Sequence, residues 1–473
     1  MLSQKKKRAL VIVGAGASVD YGIPTTADFG ALIEAHMQVN DYCVKTGGFD
    51  AYLQVKSTLE SYYLPCTGEA HFERIYHVLH ELAAMRLTAG AVPKHKPILF
   101  PFLNQTLNLS LTALRVACQA MLNAIYQLTS QRSRLAACSL EPLSMFLQTL
   151  GESHTTRIYS TNYDDFVGQA APGFFTGYTR ELGNCRVFSP RDFWSMWDHP
   201  SLFHLHGSIH MGFPHMLQGA EIGELGWFDS CDDALKHANF TGSGIGKMDG
   251  TSIDRSAILT GLDKLGRIQQ TPYSFYYAGL SRDLVEADLI FILGSGLGDL
   301  HLNTWIKAAR RQSPQVPLIY VGYWPCDENF FSEVKFEPTD RNGSVVHDLR
   351  MKLHDLDPGA FCSPEGWTID RQTNAAIWSR GFQSFLNSPE TLADVLQIIG
   401  SNPTTLYKGS PVHREMNTVV GRNQTQHVSI QSPEERARDF EGDVLWSVCK
   451  GELDQEQANQ ATAVFRGIDR SDE

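Results

Sequence analysis

The sequence predicts an α/β protein built on a parallel sheet, with an inserted helical module and a C-terminal extension. Three observations predict it. Short apolar runs at Ala9–Val13 (ALVIV), Arg157–Ser160 (RIYS) and Asp288–Leu293 (DLIFIL), with Val316–Gly322 (VPLIYVG) as a fourth, have the continuous hydrophobicity of strands covered on both faces. Each ends in Gly, Ser, Thr or Asn, as strands do when they deliver loops to one edge of a sheet. The polar residues of chemical interest all follow such runs, where an open, Rossmann-like α/β sheet binds its ligands.

More than a hundred residues separate the first run from the second, too many for one crossover helix. A helical insertion over about 30–150 accounts for them. His71–Met85 (HFERIYHVLHELAAM) and Leu107–Leu128 (LNLSLTALRVACQAMLNAIYQL) have apolar residues at helical spacing and read as a cap packed over the sheet. Met211–Gly261 is rich in Gly, Asp and His and reads as an irregular insertion at the mouth of a site. The principal domain is placed at 1–330 and the extension at 331–473. Within the extension, WTIDRQTNAAIWSRGFQSFLNSPETLADVLQIIG supplies two helices, and the polar stretch 401–431 reads as an arm or linker.

Composition excludes several classes. With 42% hydrophobic and 19% charged residues, and no apolar run of bilayer length, the 473-residue chain reads as an ordinary cytoplasmic protein. The start, MLSQKKKRALVIVG, runs straight into glycines and does not read as a signal peptide. Nine cysteines without a CxxC pair argue against a disulfide framework and a zinc ribbon. A formal charge of -12 argues against a broad nucleic-acid-binding surface, which needs concentrated Lys and Arg.

The candidate chemistry begins with Gly14, Ala15, Gly16, Ala17 and Ser18 after the first strand. Glycines here permit a sharp turn and open a helix whose N-terminus favours phosphate, although a tight turn without a ligand is the plain alternative. Val19 stands where the dinucleotide fingerprint wants its third glycine, which disfavours a standard dehydrogenase. Gly22-Ile23-Pro24-Thr25-Thr26 then interrupts the helix and leaves a loop, with Pro24 and Thr25 beside the phosphate position.

After the second strand, Asn162 and Asp164 project the same way if strand geometry persists; otherwise Asn162 caps a helix and Asp164 braces a loop. In Phe203-His204-Leu205-His206-Gly207-Ser208, alternation puts His204 and His206 on one face. His206 then reads as a general base; the pair would also suit a metal, but no third ligand is evident, so no metal is assigned. Gly294-Ser295-Gly296-Leu297-Gly298-Asp299 offers small residues against which a ribose or adenine can lie, or forms a plain loop.

In order, GAGAS-x3-GIP, STNYD, HLHGS and ADLIFILGSGL resemble the sirtuin family over the span from Met1 to about Gly322. The resemblance implies a sheet of sirtuin type and a 1–330 catalytic domain that binds NAD. Gly14, Ala15, Gly16 and Ser18 would hold its pyrophosphate, Asn162 and Asp164 its nicotinamide ribose and carboxamide, and Gly294 and Ser295 would back the dinucleotide, with His206 as base. The paired CxxC zinc cysteines of protein deacylases are missing, and Thr25-Thr26-Ala27 replaces their acidic-Phe-Arg element. His71-Phe72-Glu73-Arg74-Ile75 and the helical insertion look like the divergent prokaryotic sirtuin-like proteins of anti-phage defence, for which the resemblance implies NAD hydrolysis and abortive infection.

Cleavage of the nicotinamide–ribose bond releases a neutral leaving group and leaves an oxocarbenium-like sugar to stabilise. Asn162 would orient the attacking water, Asp164 would fix the carboxamide and His206 would accept a proton. NAD is then substrate rather than resident cofactor, and no zinc is expected. A homo-oligomer and a separately encoded HerA-like ATPase are the expected partners, since no new strand with a Gly-rich turn after Phe331 suggests a fused nucleotide sensor. A protein deacylase and a non-catalytic NAD-binding subunit are the competing classes.

Overall fold

The computed structural model describes residues 6–63, 70–86, 109–214, 223–240, 251, 255–262, 264–323, 366–370 and 373–400. The expected polar arm at 401–431 and much of the 331–473 extension lie outside these residues.

The described strands are β1 (Lys7–Val13), β2 (His154–Ser160), β3 (Tyr178–Leu182), β4 (Cys185–Phe188), β5 (Ser201–His204), β6 (Met211–Gly212), β7 (Gly226–Phe228), β8 (Asn239–Phe240), β9 (Arg255–Ser256), β10 (Leu289–Leu293), β11 (Leu318–Val321), β12 (Trp367–Asp370) and β13 (Ala375–Trp378). Seven of them form the central sheet in the order β12-β13-β11-β10-β1-β2-β5. All its neighbours run parallel except the β12/β13 pair. The α/β parallel sheet read from the sequence is therefore present, and its four predicted strands are β1, β2, β10 and β11.

The sheet is covered on both faces, which explains the continuous apolar runs. Leu10, Ile12, Ile290, Ile292, Leu318 and Tyr320 face one core. Their neighbours Val11, Val13, Phe291, Leu293, Ile319 and Val321 face the other, following the two-residue period of a strand. All are buried.

The insertion is helical, as the periodicity predicts. Helices α1 (Gly16–Val19), α2 (Thr26–Gln38), α3 (Asp41–Lys45), α4 (Gly48–Tyr62), α5 (Phe72–Arg86) and α6 (Leu111–Arg134) come first. Phe29, Ile33, Tyr52, Leu79, Leu114 and Ile125 from α2, α4, α5 and α6 share a further core, which Ile209, Phe228 and Ile258 of the later chain complete. Capping sets the boundaries: Asn40 Oδ1 accepts from the Cys43 N–H at 3.0 Å, and Ser110 Oγ from the Ala113 N–H at 3.1 Å. Helix α7 (Glu141–Ser153) instead turns Leu143, Leu147 and Leu150 onto the sheet core and leads into β2.

Two differences from the sequence reading concern the later chain. The Trp367–Gly400 stretch does contain two helices, Phe382–Leu386 and Pro389–Gly400, but it opens with the β12/β13 hairpin, turned at Asn374 with φ 49°. Trp367, Thr368, Ile369 and Ile377 are strand formers, and Phe385, Val395 and Ile399 pack into the sheet core. The sheet thus runs on beyond residue 330. The stretch read as irregular, 211–261, carries the short strands β6, β7, β8 and β9 among its described residues.

One buried carboxylate ties the sheet to a covering helix. Asp283, on the Tyr273–Glu286 helix, accepts from Arg8 Nη1 of β1 at 3.0 Å, and from Arg157 Nε at 2.9 Å and Tyr159 Oη at 2.6 Å of β2. Asp283 and Arg157 are both fully buried, and the Arg157 guanidinium lies over the Trp197 ring at 4.3 Å. Removing one partner of such a pair strands the other charge in a dry interior. Asp283→Ala is expected to destabilise the protein by about 3–5 kcal/mol, read as a lowered urea midpoint with an unchanged denaturant slope.

Candidate active site

The carboxyl edge of the central sheet is where three turns meet. Gly14, following β1, donates its N–H to the Leu293 carbonyl at 2.9 Å, and Gly16 donates to the Gly294 carbonyl at 2.7 Å. A Cβ at Gly16 would lie 2.7 Å from that same oxygen, and one at Gly14 would lie 2.6 Å from Ser295 Cα. Gly294 has φ +62°, and a Cβ there would meet the Ala17 nitrogen at 2.0 Å. These glycines are required because two backbone turns touch.

The next turn carries Asn162 and Asp164. Strand β2 ends at Ser160, so strand alternation does not align them; Ser18 does. Asn162 Nδ2 donates to Ser18 Oγ at 2.8 Å and to the Gly14 carbonyl at 2.9 Å, and Ser18 Oγ donates to Asp164 Oδ2 at 2.7 Å. Asn162 caps no helix, and its Oδ1 is buried without a hydrogen-bond partner. Asp164 also accepts from the Phe166 N–H at 3.3 Å, so it does brace the following turn.

These groups open onto a cleft of about 650 Å³, within the range of small-molecule sites, roughly 300–1,000 Å³. Gly14, Ala15, Ser18, Pro24, Asn162, Asp164, His206 and Ser295 line it. Gly16 and Gly294 stand behind the wall, in the turn–turn contact. Thr25 does not face the cleft with them. Its hydroxyl caps α2, accepting from the Asp28 N–H and donating to Asp28 Oδ2 at 2.7 Å, while Thr26 lines the cleft. Gly22 (φ 103°) and Pro24 do interrupt the helix, leaving α1 a single turn.

His204 and His206 do not share a face. Strand β5 ends at His204, and Gly207 (φ 86°) turns the chain immediately after. His204 packs against Trp227, with ring centroids 5.5 Å apart, whereas His206 lines the cleft. The i, i+2 metal pair is therefore excluded by the end of the strand.

Around His206 gather groups that pattern reading did not assign. His206 Nε2 lies 3.7 Å from Asp299 Oδ2, and Lys264 Nζ lies 3.1 Å from Asp299 Oδ1 and 3.5 Å from Glu73 Oε1. His301 is beside them, its ring centroid 6.4 Å from that of His206 and its Nε2 3.0 Å from Tyr277 Oη. Asp299 and His301 follow the last glycine turn at i, i+2, the one signal that could have found them. Lys264 and Glu73 come from the 251–267 segment and α5, and only the fold brings them here.

Burial dominates the electrostatics. It drives the His206 imidazole down to about 3, with Lys264 adding to the effect and Asp299 opposing it, so this ring is neutral. Burial also pushes the Asp299 carboxyl up, but the charge of Lys264 and its hydrogen bond hold it below its ordinary value. Glu73 is raised by burial against the pull of Lys264. Burial lifts Asp164 to about 6 despite hydrogen bonds from Ser18 and the Phe166 N–H.

The Asp164 shift has a stability consequence. A carboxyl that holds its proton more tightly in the folded chain favours folding most below its unfolded value, near 3.8, and that contribution is lost as pH rises through about 6. The loss is about 3 kcal/mol. Wild-type stability minus that of Asp164→Asn should therefore fall between pH 4 and 6 and level off above pH 7, measured by urea unfolding across the series.

No curated protein matches the chain. Among solved structures, a triple mutant of a Sir2 homologue in complex with 2'-O-acetyl ADP-ribose is similar at 12% identity, with 73% of this chain and 92% of that chain covered and a TM-score of 0.32. Asn162, Asp164, His206, Gly294, Ser295 and Asp299 all fall within residues 156–335, the segment that matches the family model described as the SIR2-like domain.

Proposed function

We propose that this protein is an NAD hydrolase that cleaves the nicotinamide–ribose bond to give nicotinamide and ADP-ribose. One observation carries the reading: Ser18, Asn162 and Asp164 converge on a cleft at the carboxyl edge of the sheet that a neutral, buried His206 also lines. The SIR2-like match over 156–335 supports NAD as the ligand.

In this reading the Gly14–Ser18 turn receives the pyrophosphate and Ser295 backs the dinucleotide. Asn162 presents its unpartnered Oδ1 to a ribose hydroxyl or to the attacking water. Asp164 holds the carboxamide. As nicotinamide leaves, positive charge develops on the ribose and acidifies its hydroxyls, so the weakly basic His206 accepts a proton from a partner that becomes more willing to give it. Asp299 then stabilises the imidazolium, as an acidic neighbour does for a transiently charged base.

The HFERI stretch and helical module further suggest a defence role: NAD depletion in abortive infection, held silent until a homo-oligomer or a HerA-like ATPase complex assembles. A deacylase reading has one observation in its favour. Leu262 and Leu265 are exposed at 52% and 67% and line the cleft, an apolar lip suited to an acyl chain.

Direct chromatography of nicotinamide and ADP-ribose from the purified chain, assembled as a homo-oligomer and also mixed with a HerA-like ATPase, each with and without an acyl-lysine peptide, separates the readings. The hydrolase predicts turnover without peptide that drops by roughly 100-fold or more in His206→Ala and Asn162→Ala, each with a near-wild-type melting profile. Turnover that needs the peptide selects the deacylase.

A further inference from the structure

We propose that His206, Asp299 and His301 form a binding site for a divalent transition-metal ion of the zinc class, which on binding occupies the imidazole that the hydrolase reading uses as base. The second half of this statement rests on that reading; the first does not.

The donors are the right kind and close together. Two imidazoles and a carboxylate are a familiar ligand set for Zn²⁺ and related ions, and three protein ligands leave a position open for water. One ligand atom from each residue lies within 4.8 Å of the others, and His206 Nε2 is already 3.7 Å from Asp299 Oδ2. A tetrahedral ion with bonds of about 2.0–2.1 Å sets its ligands about 3.3 Å apart, so the site closes by side-chain rotation. Among the described residues this is the one such group.

A second observation points to a ligand. His206 is only 4% exposed, and its Nε2 is buried without a hydrogen-bond partner. A buried ring nitrogen left without a partner is destabilising, and coordination would remove that penalty. The surroundings are also arranged as an outer shell. Lys264 holds Asp299 Oδ1, which leaves Oδ2 turned to His206, and Tyr277 Oη fixes the His301 ring. The Lys264 charge opposes a dication, but Glu73 offsets it at 3.5 Å.

The test uses the full chain and needs no turnover. Co²⁺ titration should produce the visible absorption of a four- or five-coordinate ion at one equivalent, and Zn²⁺ in competition with a chromogenic chelator should give the same stoichiometry. Asp299→Ala and His301→Ala should each weaken Zn²⁺ binding at least tenfold, with melting curves confirming the fold; His301→Asp, which keeps a donor, should recover part of it. Absence of stoichiometric binding, or binding unchanged in both alanine variants because the ion sits on other His or Cys residues, overturns the proposal. The two readings fail separately: a chain stripped of the ion by a chelator that still spares NAD refutes the hydrolase alone, and one that consumes NAD but never binds the ion refutes the metal site alone.

Discussion

The touching of two backbone turns, Gly14–Gly16 against Gly294–Ser295, is the constraint on which the rest of the cleft depends. Strands β1 and β10 are adjacent and parallel, so their outgoing turns emerge side by side, and any side chain between them would force them apart. With glycine at both places, the Gly16 N–H reaches the Gly294 carbonyl and the first turn is held over the sheet edge. Ser18 is then carried to the point where Asn162 and Asp164, arriving from β2, can both bond to it. The glycines that look like ligand contacts in sequence thus act first as spacing, and what faces the cleft is Ser18 with Gly14 and Ala15.

Desolvation is the second organising effect, and it acts in opposite directions on the two groups that matter most. It favours the neutral form of both Asp164 and His206, raising the acid and lowering the base. With its value near 6, Asp164 still carries charge at neutral pH, whereas the His206 ring stays uncharged beside the ionic group of Lys264, Glu73 and Asp299.

The sheet was legible because its physics is local. Strands covered on both faces are rich in apolar residues, so β1, β10 and β11 stand out by composition, while β2 shows only a short apolar run beside the buried, ion-paired Arg157. Helix periodicity likewise exposed α5 and α6. Pairing at the edge was less legible: β12 and β13 are four residues each, too short for a period to register, and only their fit against β11 makes them strands. In the site, Ser18, Asn162, Asp164 and His206 could be found because each follows a strand end. Lys264 and Glu73 could not, since neither follows a central strand and their proximity is a product of tertiary packing. Misreading His204 beside His206 came from extending strand alternation two residues past the end of β5.

The helical module is part of the cleft rather than a lid laid over a finished one. Helix α5 contributes Phe72 and Glu73 to its lining, α2 contributes Phe29, and α6 contributes Thr129. Phe29 and Phe72 meet edge to face at 5.6 Å, joining α2 to α5 just where the wall is formed. Because Glu73 lies in the first turn of α5, the charge balance at Lys264, and through it the orientation of Asp299 toward His206, is coupled to the seating of that helix. A shift of α5 that withdrew Glu73 would leave Lys264 to Asp299 alone, draw that carboxylate away from His206 and strengthen the positive field that already suppresses the imidazole's basicity. The electrostatic setting of His206 is therefore governed from the helical module as well as from the sheet.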